Sequence, residues 1–368
     1  MVRILHILNS MNRGGVETTL MNIFRLIDRD KVMFDFLLHT DKECAYNDEI
    51  RSLGGRIYNI PSRRESVIKN IKEAKSFISE HPEYKIIHMH VGSLSYIAPL
   101  IIARKMGVPF RIIHSRNTQE GGSRLHKYIH RINRLNIDKY ATHYFACSDL
   151  AAKWFYGDKK LNIQIISNGI IAEKFVYDEY VRRKVREQFN ISNKLVIGNV
   201  GRFHPQKNHL YLIDIFNEIT KYEKNSVLML IGDGANRGII EDKITNLGLR
   251  DKVIITGYRS DIHELLQAFD AFVMPSLHEG LPGSVIEAQG AGLPCFLSDT
   301  ITKQVAVTDL VHFISIKNPP SYWCEKILDV ISTTERKNTK AEIINAGFDM
   351  RHIAKHLQNI YLEMINTQ

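Results

Sequence analysis

A chain of 368 residues, 44% hydrophobic and 24% charged, is long enough for two globular domains and too apolar to be a disordered tail. No apolar run approaches the ~20 residues of a membrane span. The four cysteines (Cys44, Cys147, Cys295, Cys324) form no CxxC pair, which argues against a zinc cluster and for reduced thiols in the cytoplasm. The net charge of +9 sits in one half: residues 1–174 hold 27 Lys and Arg against 17 Asp and Glu, and the remainder 22 against 23. So lopsided a balance predicts an anionic partner for the first half.

The opening MVRILHILNS reads as a buried strand, with no cleavage pattern of a secretory leader. RILHIL, MFDFLLHT, KIIHMH, FRIIHS, HYFACS and IQIIS follow as short Ile/Val/Phe-rich runs. Helical patterns such as ETTLMNIFRLI and SYIAPLIIARKMG lie between them. Asp28-Arg29-Asp30 has the form of a metal–diphosphate motif but falls at a helix end, so it is read as solvated. In SRLHKYIHRINRLNIDK, Leu125, Ile129, Ile132 and Leu135 share one helical stripe and Arg124, Lys127, Arg131 and Arg134 another. Such a helix suits an anionic membrane surface, or equally the outside of an ordinary domain.

After a charged stretch at 170–193 the scheme restarts with KLVIGNVG, SVLMLIG, KVIITG, AFVMPS and PCFLS, and helices such as HLYLIDIFNEIT between. Strand–helix alternation implies right-handed βαβ units, and two series imply two doubly wound, Rossmann-like domains. The expected division is a first Rossmann-like domain (1–175), a second (176–349) and a last segment (350–368) read as a helix.

Ligands of such sheets bind beyond the carboxyl ends of the strands. There, Arg202 and Lys207 bracket the turn GRFHPQK, a fork and a point charge suited to one diphosphate. In HEGLPGSVIEAQGAGLP, Glu279 precedes a helix expected to open near Pro282-Gly283-Ser284, whose first amides can meet phosphate. Glu287 lies one turn further on; an ionised carboxylate accepts hydrogen bonds and so suits sugar or ribose hydroxyls. Gly232-Asp233-Gly234 has the wrong spacing for a dinucleotide fingerprint and is read as a tight turn.

These residues resemble a retaining glycosyltransferase of family 4, with the GT-B fold of two Rossmann-like domains facing a central cleft. The resemblance rests on Gly14-Gly15-Val16-Glu17, Ser167-Asn168-Gly169, Gly201-Arg202 through Lys207, Gly232-Asp233-Gly234 and the Glu279-x7-Glu287 signature. HMHVGS and HSRNT are most similar to the branch that builds bacterial capsules and exopolysaccharides. The resemblance implies that Arg202 and Lys207 hold the donor diphosphate and that Glu279 contacts the transferred sugar. It places His114 near acceptor or sugar, Gly14 and Gly15 near the donor phosphates, and Tyr258 and Arg259 at the base. Asn168, Gly201, Leu281, Pro282, Gly283, Ser284 and Val285 complete the donor set, with Glu287 on the ribose. It implies a lipid-linked or other saccharide acceptor, no metal and no cofactor. The place of action is the cytoplasm or the inner membrane face, where Arg124, Lys127, Arg131 and Arg134 touch anionic lipid. A nucleotide-sugar epimerase of the same shape is the alternative. A nucleic-acid binder is a more distant one, as the aromatic-plus-basic platform it needs is missing.

Overall fold

The computed structural model describes residues 1–117 and 123–367. The chain divides into two units, Met1–Gly169 with Met350–Gln368, and Ile170–Asp349.

In the first unit, seven parallel strands, β1 (Val2–Leu8), β2 (Val32–Leu38), β3 (Ile57–Asn59), β4 (Ile86–Val91), β5 (Phe110–Ser115), β6 (His143–Ala146) and β7 (Ile163–Ile165), lie in the order β3-β2-β1-β4-β5-β6-β7. The second unit holds β8 (Leu195–Val200), β9 (Ser226–Ile231), β10 (Val253–Gly257), β11 (Ala271–Met274), β12 (Cys295–Ser298) and β13 (Val311–Ile314), in the order β10-β9-β8-β11-β12-β13. Both are doubly wound, with the order reversing between β1 and β4 and between β8 and β11, which opens a crevice at those carboxyl ends. Both faces of the second sheet are buried. Val196, Val227 and Met229 enter one apolar cluster, while Ile197, Leu228 and Leu230 enter the other. That is why these strands read as unbroken apolar runs.

The two strands missing from the sequence reading are β3 and β13. Each lies at a sheet edge and is half-exposed over most of its length, so neither carries a continuous apolar run. The division between units falls at residues 169 and 170, six residues before the expected boundary (175 − 169 = 6). Ile170, Ala172 and Phe175 already belong to the second unit's core. The charged stretch behind them is tied down as well, since Arg182 and Arg186 each reach Asp270 at 2.6 Å.

The C-terminal helix Met350–Asn366 belongs to the first unit, where Gln358 accepts a hydrogen bond from the Asp28 amide at 2.7 Å. Its Tyr361 hydroxyl meets Nδ1 of His88 at 2.6 Å within a buried histidine ladder. His6 of β1, His88 and His90 of β4 and His114 of β5 are neighbours across the sheet. Arg116 can only donate, and it donates to Nδ1 of His90 at 3.2 Å. The proton of neutral His90 therefore sits on Nε2 and is given to Nδ1 of His6 at 2.9 Å. His88 joins His114 at 3.0 Å. His6, His88 and His90 bring ring nitrogens within 4.8 Å of one another, but His6 Nδ1 and His90 Nε2 serve one another and both nitrogens of His88 serve Tyr361 and His114.

Burial, reinforced by Arg116, holds all four rings neutral, with His6 pushed down to about 3. In the unfolded chain the same rings titrate near 6.5, so below that pH the unfolded state takes up protons that the folded state refuses. Stability is therefore full above about pH 6.5 and is lost as the pH falls towards 3. Calorimetric scans should show a lower melting temperature at pH 5 than at pH 7.5, and His6→Phe should flatten that dependence. A melting temperature independent of pH over this range would contradict the neutral ladder.

Candidate functional site

In the second unit, β8 ends at Val200, Gly201-Arg202 follow, and the chain makes a tight turn, Pro205–Lys207. This turn is stitched to the loop after β11. The Leu277 amide donates to the Gln206 carbonyl at 2.8 Å, and the Gln206 side-chain amide donates to the His278 carbonyl at 2.8 Å. Asn208, in the left-handed region at φ 56°, donates to the Pro275 carbonyl at 3.1 Å. The stitches bring Lys207 Nζ to 2.8 Å from Glu279 Oε1, with side chains only 17% and 10% exposed. The pair makes close ionic contact, without the alignment of a hydrogen bond.

The neighbouring turn after β9 supports this loop from below. A Cβ on Gly232 would lie 2.1 Å from the Gly201 carbonyl oxygen, and one on Gly234 2.5 Å from that of Phe203. The Gly-Asp-Gly segment is thus a close-packing turn, as its spacing implied. Arg202 is exposed and forms no ion pair among the described residues.

Beyond Glu279, whose backbone bridges to Ile301, the helix Gly283–Gly290 begins directly after Pro282. No side chain caps it, so the first amides at Gly283 and Ser284 remain for a ligand. Leu281, Gly283 and Ser284 are half-buried, Pro282 and Val285 buried. Glu287 is only partly accessible, and burial raises its carboxyl to about 7. In the free protein it is therefore part-protonated at neutral pH, whereas the sequence reading treated it as fully ionised. Tyr258, 73% exposed, rests its hydroxyl 3.4 Å from the Asp233 carbonyl, and Arg259 pairs with Asp261 at 2.9 Å.

The first unit places Gly14, Gly15, Asn168 and His114. Gly14 caps and Gly15 opens the helix Gly15–Leu26, with open space beside Gly15. Asn168 Oδ1 accepts from Thr19 Oγ1 at 3.3 Å and from Arg116 at 3.2 Å, so it is tied to the helix after β1 and to the loop after β5. His114 is fully buried in the ladder, with Nε2 unpartnered. The histidine that reaches open space is His90, which lines a cavity of about 340 Å³ at the carboxyl ends of β1 and β4. His90 and His114 occupy the same position, one residue before the end of β4 and of β5, so no sequence signal separates them. Thr118, which closes the HSRNT segment, lies outside the described residues.

The helix Arg124–Tyr140 differs from an ordinary domain helix. Its buried contacts are His130, which accepts from the Leu94 amide at 3.0 Å, and Ile137. Asn133 adds a bond to the Leu94 carbonyl at 2.7 Å. Leu125 (63%) and Leu135 (70%) are exposed with Tyr128 and Ile132, on a stripe beside Arg124, Lys127 and Arg131. Ile129, grouped with that stripe in the sequence reading, is half-buried instead. Among the described residues no helix is long and apolar enough to cross a membrane.

Residues 181–349 match the family described as glycosyl transferases group 1. The chain is 36% identical to EpsF of Bacillus subtilis, designated a glycosyltransferase, over 98% of this chain and 96% of that one. It is 27% identical, over 99% of this chain and 97% of the relative, to the Escherichia coli UDP-Gal:alpha-D-GlcNAc-diphosphoundecaprenol alpha-1,3-galactosyltransferase. Among solved structures, HepE of Anabaena in complex with UDP shares the fold, with a TM-score of 0.79 at 18% identity over 99% of this chain and 100% of that one. These similarities are to glycosyltransferases and lend nothing to the epimerase or nucleic-acid-binding readings.

Proposed function

The chain belongs to the group 1 glycosyl transferases, and from that premise we propose that it transfers a sugar, with retention, from a UDP-sugar to a lipid-linked or other saccharide acceptor in bacterial capsular or exopolysaccharide synthesis. The observation that carries the donor assignment is the Lys207–Glu279 pair, clamped at the switch point of the second sheet beside a helix start with uncapped amides. The E. coli relative is named for a UDP-sugar donor and a diphosphate-linked acceptor, and EpsF and HepE match over nearly the whole chain.

In this reading the donor diphosphate lies on Arg202, Lys207 and the amides of Gly283 and Ser284; the Val285 amide, which the sequence reading added, already donates to the Pro282 carbonyl at 3.1 Å. Leu281 and Pro282 shape that entry, and Gly201, Tyr258 and Arg259 flank the nucleoside. Phosphate draws Lys207 away from Glu279 and releases that carboxylate for the sugar hydroxyls. The acceptor hydroxyl attacks the anomeric carbon on the face that the diphosphate leaves. The anomeric carbon–phosphate oxygen bond breaks, the new glycosidic bond forms, and the acceptor proton passes to the departing phosphate oxygen, yielding glycoside and UDP. Arg202 and Lys207 stabilise the charge growing on that oxygen. With cations and amides already in place, neither metal nor cofactor is assigned a part, and the nucleotide sugar is a substrate. In the first unit His114 is paired with His88 behind His90 and acts by position, not by touching substrate. The enzyme works in the cytoplasm at the inner membrane face, where the exposed apolar and basic stripe of Arg124–Tyr140 meets anionic lipid.

Lys207→Ala should lower turnover by about 10²–10³-fold, the loss expected for one preorganised donor. Near-normal turnover would remove Lys207 from the mechanism. Glu279→Ala should impair transfer more than UDP affinity, whereas Glu287→Ala should weaken UDP binding itself. Because ribose hydroxyls favour the ionised form of a carboxyl held near 7, UDP binding should release a proton and tighten from pH 6 to pH 8. Glu287→Gln should abolish this trend, and a wild-type affinity flat with pH would refute the ribose contact. Binding to anionic vesicles should weaken with salt and vanish when Arg124, Lys127, Arg131 and Arg134 become Gln. Equal binding to neutral vesicles would count against the membrane contact.

A further inference from the structure

The 340 Å³ cavity of the first unit is lined by two arginines that form no ion pair with a carboxylate among the described residues. Arg63 stacks its guanidinium 4.7 Å over the Tyr96 ring and donates one hydrogen bond, to Asn9 Oδ1 at 3.0 Å. Arg116 donates to His90 and to Asn168. A guanidinium carries five N–H donors, so both retain donors for a ligand. Both are desolvated, which lowers their pKa, that of Arg116 to about 10. Burying two cations near one another is costly unless an anion joins them.

The rest of the lining fits that anion. His39 and His90 stay neutral and add no charge; His39, at about 4, accepts from Asn70 at Nδ1 and keeps its Nε2 proton for a ligand, whereas the proton of His90 goes to His6. Glu17 also lines the cavity, leaving a net charge near +1 in front of the two arginines. A second cavity, of about 590 Å³, shares Asn9, His39, Arg63 and Tyr96 with the first and continues to Val67 and Ile129. Val67 is exposed, and Ile129 belongs to the helix that displays Leu125 and Tyr128 to solvent. An anion pocket thus runs into an apolar surface.

We propose that these joined cavities bind the diphosphate of a lipid-linked acceptor, with Arg63 and Arg116 as its cationic contacts and the lipid leaving past Val67 and Ile129. This rests on the transferase reading, since it makes the first unit the acceptor side. The same chemistry could come from the donor's own diphosphate, so the test must separate the two sources.

Full-length protein saturated with UDP would be titrated calorimetrically with inorganic pyrophosphate, for wild type, Arg63→Gln, Arg63→Lys and Arg116→Gln. The wild type should bind pyrophosphate beside UDP. The Gln variants should weaken that binding about tenfold or more, as loss of a charge-assisted donor implies, while UDP affinity stays within about twofold. Arg63→Lys should fall between. No pyrophosphate binding beside UDP, or Gln variants that retain it, would overturn the proposal. Gln variants that lose UDP and pyrophosphate affinity alike would assign the arginines to the donor and overturn it too. Should Arg116→Gln fail to fold, because it frees His90 and Asn168, Arg63→Gln decides alone. Failure of the transferase reading looks different: the wild type then binds no UDP, and the pyrophosphate titration, run without it, still reports on Arg63.

Discussion

The ion pair between Lys207 and Glu279 joins the two loops that flank the switch point of the second sheet, and its burial makes it demanding. A half-buried cation cannot lose its partner without cost unless another anion arrives. The hydrogen bonds through Gln206 and Asn208 hold the loops so that the pair persists in the free protein. In the proposed reading donor phosphate is the anion that takes over Lys207, and its arrival frees Glu279 where sugar hydroxyls need an acceptor. One contact thus stabilises the empty site and prepares the filled one.

The first unit meets the opposite problem, since its buried polar groups are mostly neutral or cationic. Its four histidines form two hydrogen-bonded pairs, His6–His90 and His88–His114, and Arg116 orders the first by forcing the proton of His90 onto Nε2. In the second pair His88 also meets the Tyr361 hydroxyl, so the C-terminal helix is held by a polar bond as well as by its apolar face. Open space begins only at His90 and Arg116.

Much of this was legible in the sequence for a simple reason. Strands buried on both faces must be apolar throughout, and the residues just beyond them must carry the chemistry, so Arg202, Lys207, Glu279 and Glu287 stood out by position. Edge strands obey no such rule, and missing β3 hid Arg63, which lies in the loop behind it. Gln206 was invisible because its work is done through one backbone bond and one side-chain bond to a carbonyl, which leave no signature in spacing. His114 and His90 both close a strand, and only the packing between strands decides which ring is covered. The charge of Arg124–Tyr140 was plain from its sequence. The outward direction of its apolar stripe was not, because a helical period gives two faces without saying which one the core takes.

The central claim is that the second unit reads a nucleotide sugar through Lys207, the Gly283 helix start and two glutamates with separate tasks. A crystal structure of the protein soaked with a UDP-sugar tests it most directly. The account predicts diphosphate oxygens on Lys207 Nζ and the Gly283 and Ser284 amides, ribose hydroxyls on Glu287, and Glu279 turned from Lys207 to the sugar. A nucleotide bound elsewhere, or one that leaves the Lys207–Glu279 pair intact and its phosphates away from the helix start, would contradict it.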